Sequence, residues 1–181
     1  MRILHVVPSY LPAMRYGGPI FAVHGLCRAL ASRGHEVQVF TTNIDGPGIS
    51  PTPIGTSVDL DGIKIRYFFC PLVRRLGRAL HHSIGELDVV HLHSVFLWPT
   101  WAAARAARNA GVPYVLSPRG MLVKDLIARR SRFAKSAWIH LIERSNVERA
   151  AALHLTSPLE GAELETFRLA ASTVSRHSQC S

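Results

Sequence analysis

Four short groups in the 181-residue sequence combine side chains able to do chemistry with residues that fix local geometry. In Tyr16-Gly17-Gly18-Pro19, two glycines stand just ahead of a helix with Pro19 at its first position. Glycine lets a ligand come close to the backbone, and the free N–H groups of a first helical turn suit phosphate or carboxylate. A plain turn is the competing reading. In Asp88-Val89-Val90-His91-Leu92-His93-Ser94, strand alternation puts His91 and His93 on one face. Imidazoles there could bond a hydroxyl or phosphate, or handle a proton near neutral pH, with purely structural histidines as the alternative. A metal is not expected, because no third ligand accompanies the pair and Asp88 lies at the far end of the strand. In Ser117-Pro118-Arg119-Gly120, the guanidinium of Arg119 is shaped to grip an anion with both arms. Ser157-Pro158-Leu159-Glu160 reads as a capping box with proline in the first turn, which explains Ser157 and Glu160 without a ligand while leaving a site role open.

The elements that would hold these groups alternate. Ile3 to Val7 is a short β-branched run, followed by apolar residues at helical spacing (Ile20, Val23, Cys27, Leu30), a helix-ending Gly34 and a strand over Glu36 to Thr42. The Pro/Gly-rich stretch Gly46 to Asp61 predicts a mobile loop before a strand near Ile63 to Phe68. A strand over Val89 to Leu92, a helix over Trp98 to Ala110 closed by Gly111 and a strand over Tyr114 to Ser117 come next. A long helical stretch from Val123 to Arg149 then leads to a strand over Ala152 to Thr156 and a helix opened by Ser157. Such alternation implies an α/β fold, a Rossmann-like three-layer sandwich around a mainly parallel sheet, with ligands at the carboxyl ends of the strands. The last ten residues, Ser172 to Ser181, are polar and aperiodic and read as an aberrant or disordered tail.

Twenty-one Lys and Arg against twelve Asp and Glu give a formal charge of +9, and 48% of residues are apolar. The chain therefore has material for a core and is drawn to anionic partners. Cys27, Cys70 and Cys180 are odd in number and far apart, which argues against a disulfide framework or zinc cage and for a reducing, cytoplasmic compartment. No apolar run approaches the length of a membrane span, so membrane contact would be peripheral, at the inner face. Residues 119 to 149 carry eight basic against three acidic residues; interleaved with Phe133, Trp138 and Ile139, residues 124–142 could lie on an anionic membrane surface or be an ordinary basic helix face.

In order and spacing, RILHVVPSY, the GGP turn, LCRALASRGHEVQVFTT, DVVHLHS, VPYVLSPRGML and AAALHLTSPLEGAEL resemble the N-terminal, acceptor-side half of a glycosyltransferase family 4 enzyme of the GT-B fold. The resemblance covers residues 1–171. It implies two Rossmann-like domains across a cleft and sugar transfer from a nucleotide-sugar to a glycan or lipid-linked acceptor. Transfer would proceed with retention, with no cofactor or metal, in polysaccharide or cell-envelope biosynthesis. It further implies that Gly17 and Gly18 approach the donor diphosphate and that His91 and His93 lie near the acceptor as catalytic residues. Arg119 stands where many members carry a histidine, and with Gly120 would bind an anion or the acceptor. The donor domain, expected after residue 171, is absent from the sequence, which implies a truncated chain with little or no activity alone.

A non-catalytic nucleotide- or phosphosugar-binding module is the alternative. Nucleic-acid binding is not expected, for no aromatic platform, helix-turn-helix or zinc finger accompanies the charge. A nicotinamide oxidoreductase lacks its glycine fingerprint and an acidic end to the second strand, where Thr41 and Thr42 stand instead.

Overall fold

The computed structural model describes residues 1–69, 73–95, 97–119, 143–166 and 174–176. Strands β1 (Arg2–Ser9), β2 (Glu36–Thr42), β6 (Ile63–Phe68), β7 (Val89–His93), β8 (Tyr114–Ser117), β9 (Ala152–Leu155) and β10 (Val174–Arg176) pair in parallel, and β5 (Ser57–Leu60) is the antiparallel edge. Their order is β10-β9-β8-β7-β1-β2-β6-β5. The chain leaves β1 towards β2 on one side and later returns to place β7 on the other, so the winding reverses between β1 and β7. Open parallel sheets form their ligand crevice at such a point.

Two apolar layers sandwich the sheet. Helix α1 (Gly18–Ala31) buries Ile20, Val23 and Cys27, spaced three and four apart, and turns Val23 and Cys27 onto Val7, Val37, Val39, Ile63 and Ile65. Helices α2 (Val73–Ser83) and α3 (Trp98–Ala110) cover the opposite face, where Leu76, Leu80, Ala103 and Ala107 meet Leu4, Val6, Leu92, Leu116 and Leu153. Gly111 ends α3 at φ 69°, the left-handed cap that glycine adopts without a Cβ clash.

Two expectations are corrected. The stretch Gly46 to Asp61 is not one loose loop. A small hairpin, β3 (Ile44–Asp45) with β4 (Gly48–Ile49), is followed by β5, which pairs with β6 across the two-residue turn Asp61-Gly62. Both turn residues have positive φ, 56° and 76°, the twist an Asp-Gly hairpin provides, and Val58 and Leu60 alternate with polar neighbours. In the expected tail, Val174–Arg176 forms β10 and extends the sheet beside β9. Of the long helical stretch, only its end is described, as α4 (Arg144–Glu148); the candidate membrane face 124–142 and Gly120 lie outside the described residues. The capping-box helix is α5 (Pro158–Thr166). Among the described residues no helix is long and apolar enough to cross a membrane.

Candidate functional site

The parallel register between β1 and β7 sets His5 directly opposite His91, and strand alternation adds His93 to the same face. Ser117 lies opposite His93 on β8, and β9 contributes His154. Imidazoles from three strands, bridged by Ser117 from a fourth, thus form a row on one face of the sheet. His5 and His93 are fully buried and their rings stack with centroids 5.2 Å apart. His91 Nε2 meets Ser117 Oγ at 2.8 Å, and that oxygen meets His154 Nδ1 at 3.0 Å.

The hydrogen bonds determine the tautomers. Arginine only donates, so the 3.3 Å contact from the Arg119 guanidinium makes His93 Nδ1 an acceptor and leaves the His93 proton on Nε2. That N–H donates to His5 Nδ1 at 2.9 Å, and His5 in turn keeps its proton on Nε2. His5 Nε2 is buried and has no partner among the described residues. Burial first, and the positive charge of Arg119 second, push the His5 pKa down to about 3. His91 and His93 are held well below the ordinary histidine value, by burial foremost and then by their imidazole and Arg119 neighbours. His5, His91 and His93 are neutral at physiological pH.

Above His93, a pocket of about 430 Å³ opens at the carboxyl ends of the strands. It draws Tyr16, Pro19 and Ile20 from the β1–α1 segment, Ile44 from the β3–β4 hairpin, Ser94 and Leu97 from beyond β7, and Arg119 from beyond β8. Gly17 has φ 59° and ψ −128°, a region nearly closed to side chains, and its carbonyl accepts the N–H of Ile20 to open α1. A Cβ on Gly17 or Gly18 would meet nothing within 4 Å, so both faces are open to a ligand. The turn is pinned from outside: Tyr67 Oη donates to the Leu11 carbonyl, and the Arg15 N–H donates to Asp45 Oδ1 at 3.0 Å. Asp61, Ser94 and Arg119 are the non-glycine residues with positive φ among those described; Asp61 belongs to a hairpin, whereas Ser94 (75°) and Arg119 (56°) both border this pocket. Strained backbone of this kind costs about 1–3 kcal/mol and gathers at functional sites. Arg119 Nε is buried without a partner among the described residues, and burial lowers the Arg119 pKa against the opposing field of Glu160.

The expected site residues therefore divide. Tyr16-Gly17-Gly18-Pro19, His93 and Arg119 meet on one rim at the point where the winding reverses. His91 lies beneath it, bonded to Ser117. His93 lines the pocket, but both its ring nitrogens are engaged, so it holds Arg119 rather than offering a free base. Ser157 and Glu160 form the capping arrangement: the Glu160 N–H donates to Ser157 Oγ at 3.3 Å, and the Glu160 carboxylate accepts from the N–H and hydroxyl of Thr156 at 2.6 and 3.0 Å. His5, His91 and His93 place ligand-capable nitrogens within 4.8 Å of one another, as a metal site would. The cationic arm of Arg119 on His93 opposes a dication there, and the His5–His93 bond already engages one nitrogen on each of two of these rings.

Residues 17–176 match the family model of the glycosyl transferase 4-like domain. The chain belongs to this family. Over 173 residues this glycosyl transferase 4-like chain is 25% identical to the UDP-N-acetylglucosamine–N-acetylmuramyl-(pentapeptide) pyrophosphoryl-undecaprenol N-acetylglucosamine transferase of Rhodospirillum centenum, a match covering 89% of this chain and 45% of the relative. It thus spans about half the length of that curated relative. Among solved structures, it is similar to sucrose-phosphate synthase from Thermosynechococcus elongatus, with a TM-score of 0.61, 16% identity, and coverage of 97% of this chain and 47% of the other. It is also similar to Anabaena HepE in complex with UDP-glucose, with a TM-score of 0.62, 14% identity, and coverage of 97% and 43%. The fold of the glycosyl transferase 4-like chain is that of one Rossmann-like half of a GT-B architecture.

Sequence reasoning passed over His5, Ser94 and His154. Each histidine interrupts an apolar strand, which is the signal that was there; that they share a face with His93 depends on strand order and register, which no local pattern carries.

Proposed function

We propose that these 181 residues supply the acceptor side of a glycosyltransferase cleft that moves a sugar, with retention and without a metal, from a nucleotide-sugar to a glycan or lipid-linked acceptor in polysaccharide or cell-envelope synthesis. The observation carrying this reading is the convergence of the glycine turn, through its flanking Tyr16 and Pro19, with the neutral His93 and with Arg119, whose Nε has no bond among the described residues, on one pocket where the sheet's winding reverses. In the reaction an acceptor hydroxyl oxygen bonds to the anomeric carbon, the bond from that carbon to the diphosphate breaks, and the electron pair leaves with the diphosphate; the hydroxyl proton is released. Charge therefore grows on the leaving group. First-turn amides of α1 stabilise negative charge at Gly17-Gly18 without metal, and Arg119 adds a fixed cation. His93 and, behind it, His5 stay neutral, so the guanidinium is held in place without a competing charge. The family match and the likeness to a nucleotide-sugar complex support this assignment of substrates. A peripheral position at the inner face of the membrane fits the +9 charge.

A transfer assay tests the reading. The chain is joined to the donor-side half of a family relative and supplied with labelled nucleotide-sugars and an envelope extract. Label should enter glycan or lipid with the wild-type sequence and fall about 100-fold or more with Arg119→Gln, in line with the loss of a transition-state donor. Tight nucleotide binding by the 181 residues alone, with no label transferred, would instead establish the binding-module alternative.

A further inference from the structure

Serine is a poor fit to the backbone at position 94. Its φ of 75° lies in the left-handed region, where glycine, asparagine and aspartate are the ordinary occupants and any other Cβ is strained. Asp61 has an explanation that needs no ligand, since it opens the Asp-Gly turn between β5 and β6. Ser94 belongs to no hairpin. It follows β7 directly, and its N–H donates to the Ser117 carbonyl at 2.8 Å, a bond that any residue except proline makes. Glycine would supply the same backbone with less strain, so what serine adds is its hydroxyl. That hydroxyl has no hydrogen-bond partner among the described residues, and Ser94 lines the 430 Å³ pocket.

The bond to the Ser117 carbonyl ties Ser94 to the segment that carries Arg119 two residues further on. Arg119 has the same left-handed backbone, φ 56°, and lines the same pocket. Two strained residues, one with a hydroxyl and one with a guanidinium, are thus fixed relative to each other at the carboxyl ends of the paired strands β7 and β8. The other polar side chains on the pocket differ. Both His93 nitrogens are engaged, the Tyr16 hydroxyl donates to the Gly46 carbonyl at 3.4 Å, and Ser9 belongs to β1. An anion with several oxygens accepts from the hydroxyl and the guanidinium together, whereas a neutral hydroxyl would leave the Arg119 charge unmet.

We propose that Ser94 is a binding residue of the transfer site, its Oγ–H donating to an oxygen of the departing diphosphate alongside the charge supplied by Arg119. This rests on the sugar-transfer reading and adds to it a neutral donor whose bond strengthens as negative charge builds on the leaving group.

Ser94→Ala and Ser94→Gly separate the hydroxyl from the backbone. Both remove the donor and only glycine also removes the strain, so Ser94→Gly should melt above Ser94→Ala. In calorimetric titration of the 181-residue chain, both should bind pyrophosphate more weakly than wild type by a common factor of about tenfold, the scale of one hydrogen bond to a charged group. Affinity unchanged in Ser94→Gly, or lowered in Ser94→Gly but not in Ser94→Ala, would overturn the proposal, because either result makes the backbone the feature that matters. Weaker pyrophosphate binding in both variants, with no label transferred by the wild-type sequence joined to a donor-side half, would sink the transfer reading alone. Transfer by wild type with unchanged pyrophosphate binding in both variants would sink the Ser94 assignment alone.

Discussion

His5 Nδ1 and His93 Nε2 lie 2.9 Å apart in the centre of the sheet, joining residues separated by 88 positions in sequence. Because Arg119 donates to the other nitrogen of His93, this single contact sets the proton positions of two buried rings and the direction of the guanidinium. In ¹⁵N–¹H long-range spectra both His5 and His93 should appear as neutral Nε2–H tautomers. A protonated Nδ1 on His93 would break the chain of donors at its first link.

Replacing His5 separates shape from hydrogen bonding. His5→Asn retains an acceptor close to the position of Nδ1, whereas His5→Leu leaves the His93 N–H buried and unpaired, at a cost of about 1–3 kcal/mol. Chemical denaturation should rank wild type above His5→Asn and His5→Asn above His5→Leu. The Asn variant should also retain the His93 tautomer, and the Leu variant should lose it.

The histidine cluster makes the fold acid-labile. These rings have folded pKa values below the unfolded value of 6.5, so the unfolded chain takes up protons first as pH falls. The stability they contribute is complete above pH about 6.5 and declines below it, towards about pH 3 for His5. Each ring costs about 1.4 kcal/mol per pH unit in that window, before coupling between them reduces the sum. Urea midpoints measured from pH 8 to 4 should be flat above 6.5 and fall steeply below it. A flat profile through pH 5 would show the rings already charged in the folded state.

Arg119 trades stability for binding. Its positive φ and its buried Nε without a bond among the described residues cost free energy that a ligand would return. Arg119→Gly relieves about 1 kcal/mol of backbone strain but leaves the buried His93 Nδ1 without its donor, so the melting temperature should change little, while pyrophosphate binding weakens by about tenfold or more, the scale of one lost charge-assisted contact. A lowered melting temperature would mean that the side chain stabilises the fold.

The two turn glycines should behave differently. Gly17→Ala forces a side chain into φ 59°, ψ −128° and should cost about 1–3 kcal/mol. Gly18 lies in the first turn of α1 with open space around its missing Cβ, so Gly18→Ala should leave stability within about 0.5 kcal/mol yet weaken anion binding. Melting curves and titrations on the pair check both halves.

Much of this fold was legible from local pattern. β-Branched runs bounded by glycine and proline gave the parallel strands, three-and-four spacing gave α1, and Gly111 closed α3 where expected. The Asp61-Gly62 hairpin carried its own signal, an Asp-Gly pair between alternating apolar residues, and was hidden by the proline and glycine around it. Val174–Arg176 gave no signal, since three residues at a sheet edge depend on the neighbouring strand for their pairing. At the site, spacing grouped His91 with His93 and marked Arg119. It could not reveal that β1 sits beside β7, and hence that His5 supports His93 or that two ring nitrogens are already engaged.

The most direct test is a ¹H–¹⁵N titration of the 181-residue chain with millimolar pyrophosphate. Shifts concentrated at Gly17, Gly18, Ser94 and the Arg119 side chain are expected, with the His93 ring signal moving as Arg119 turns to the ligand. Shifts confined to the open groove outside α1, around Arg28, His35 and Asp61, or no response at the rim at saturating ligand, would contradict the placement of the anion site where the sheet reverses.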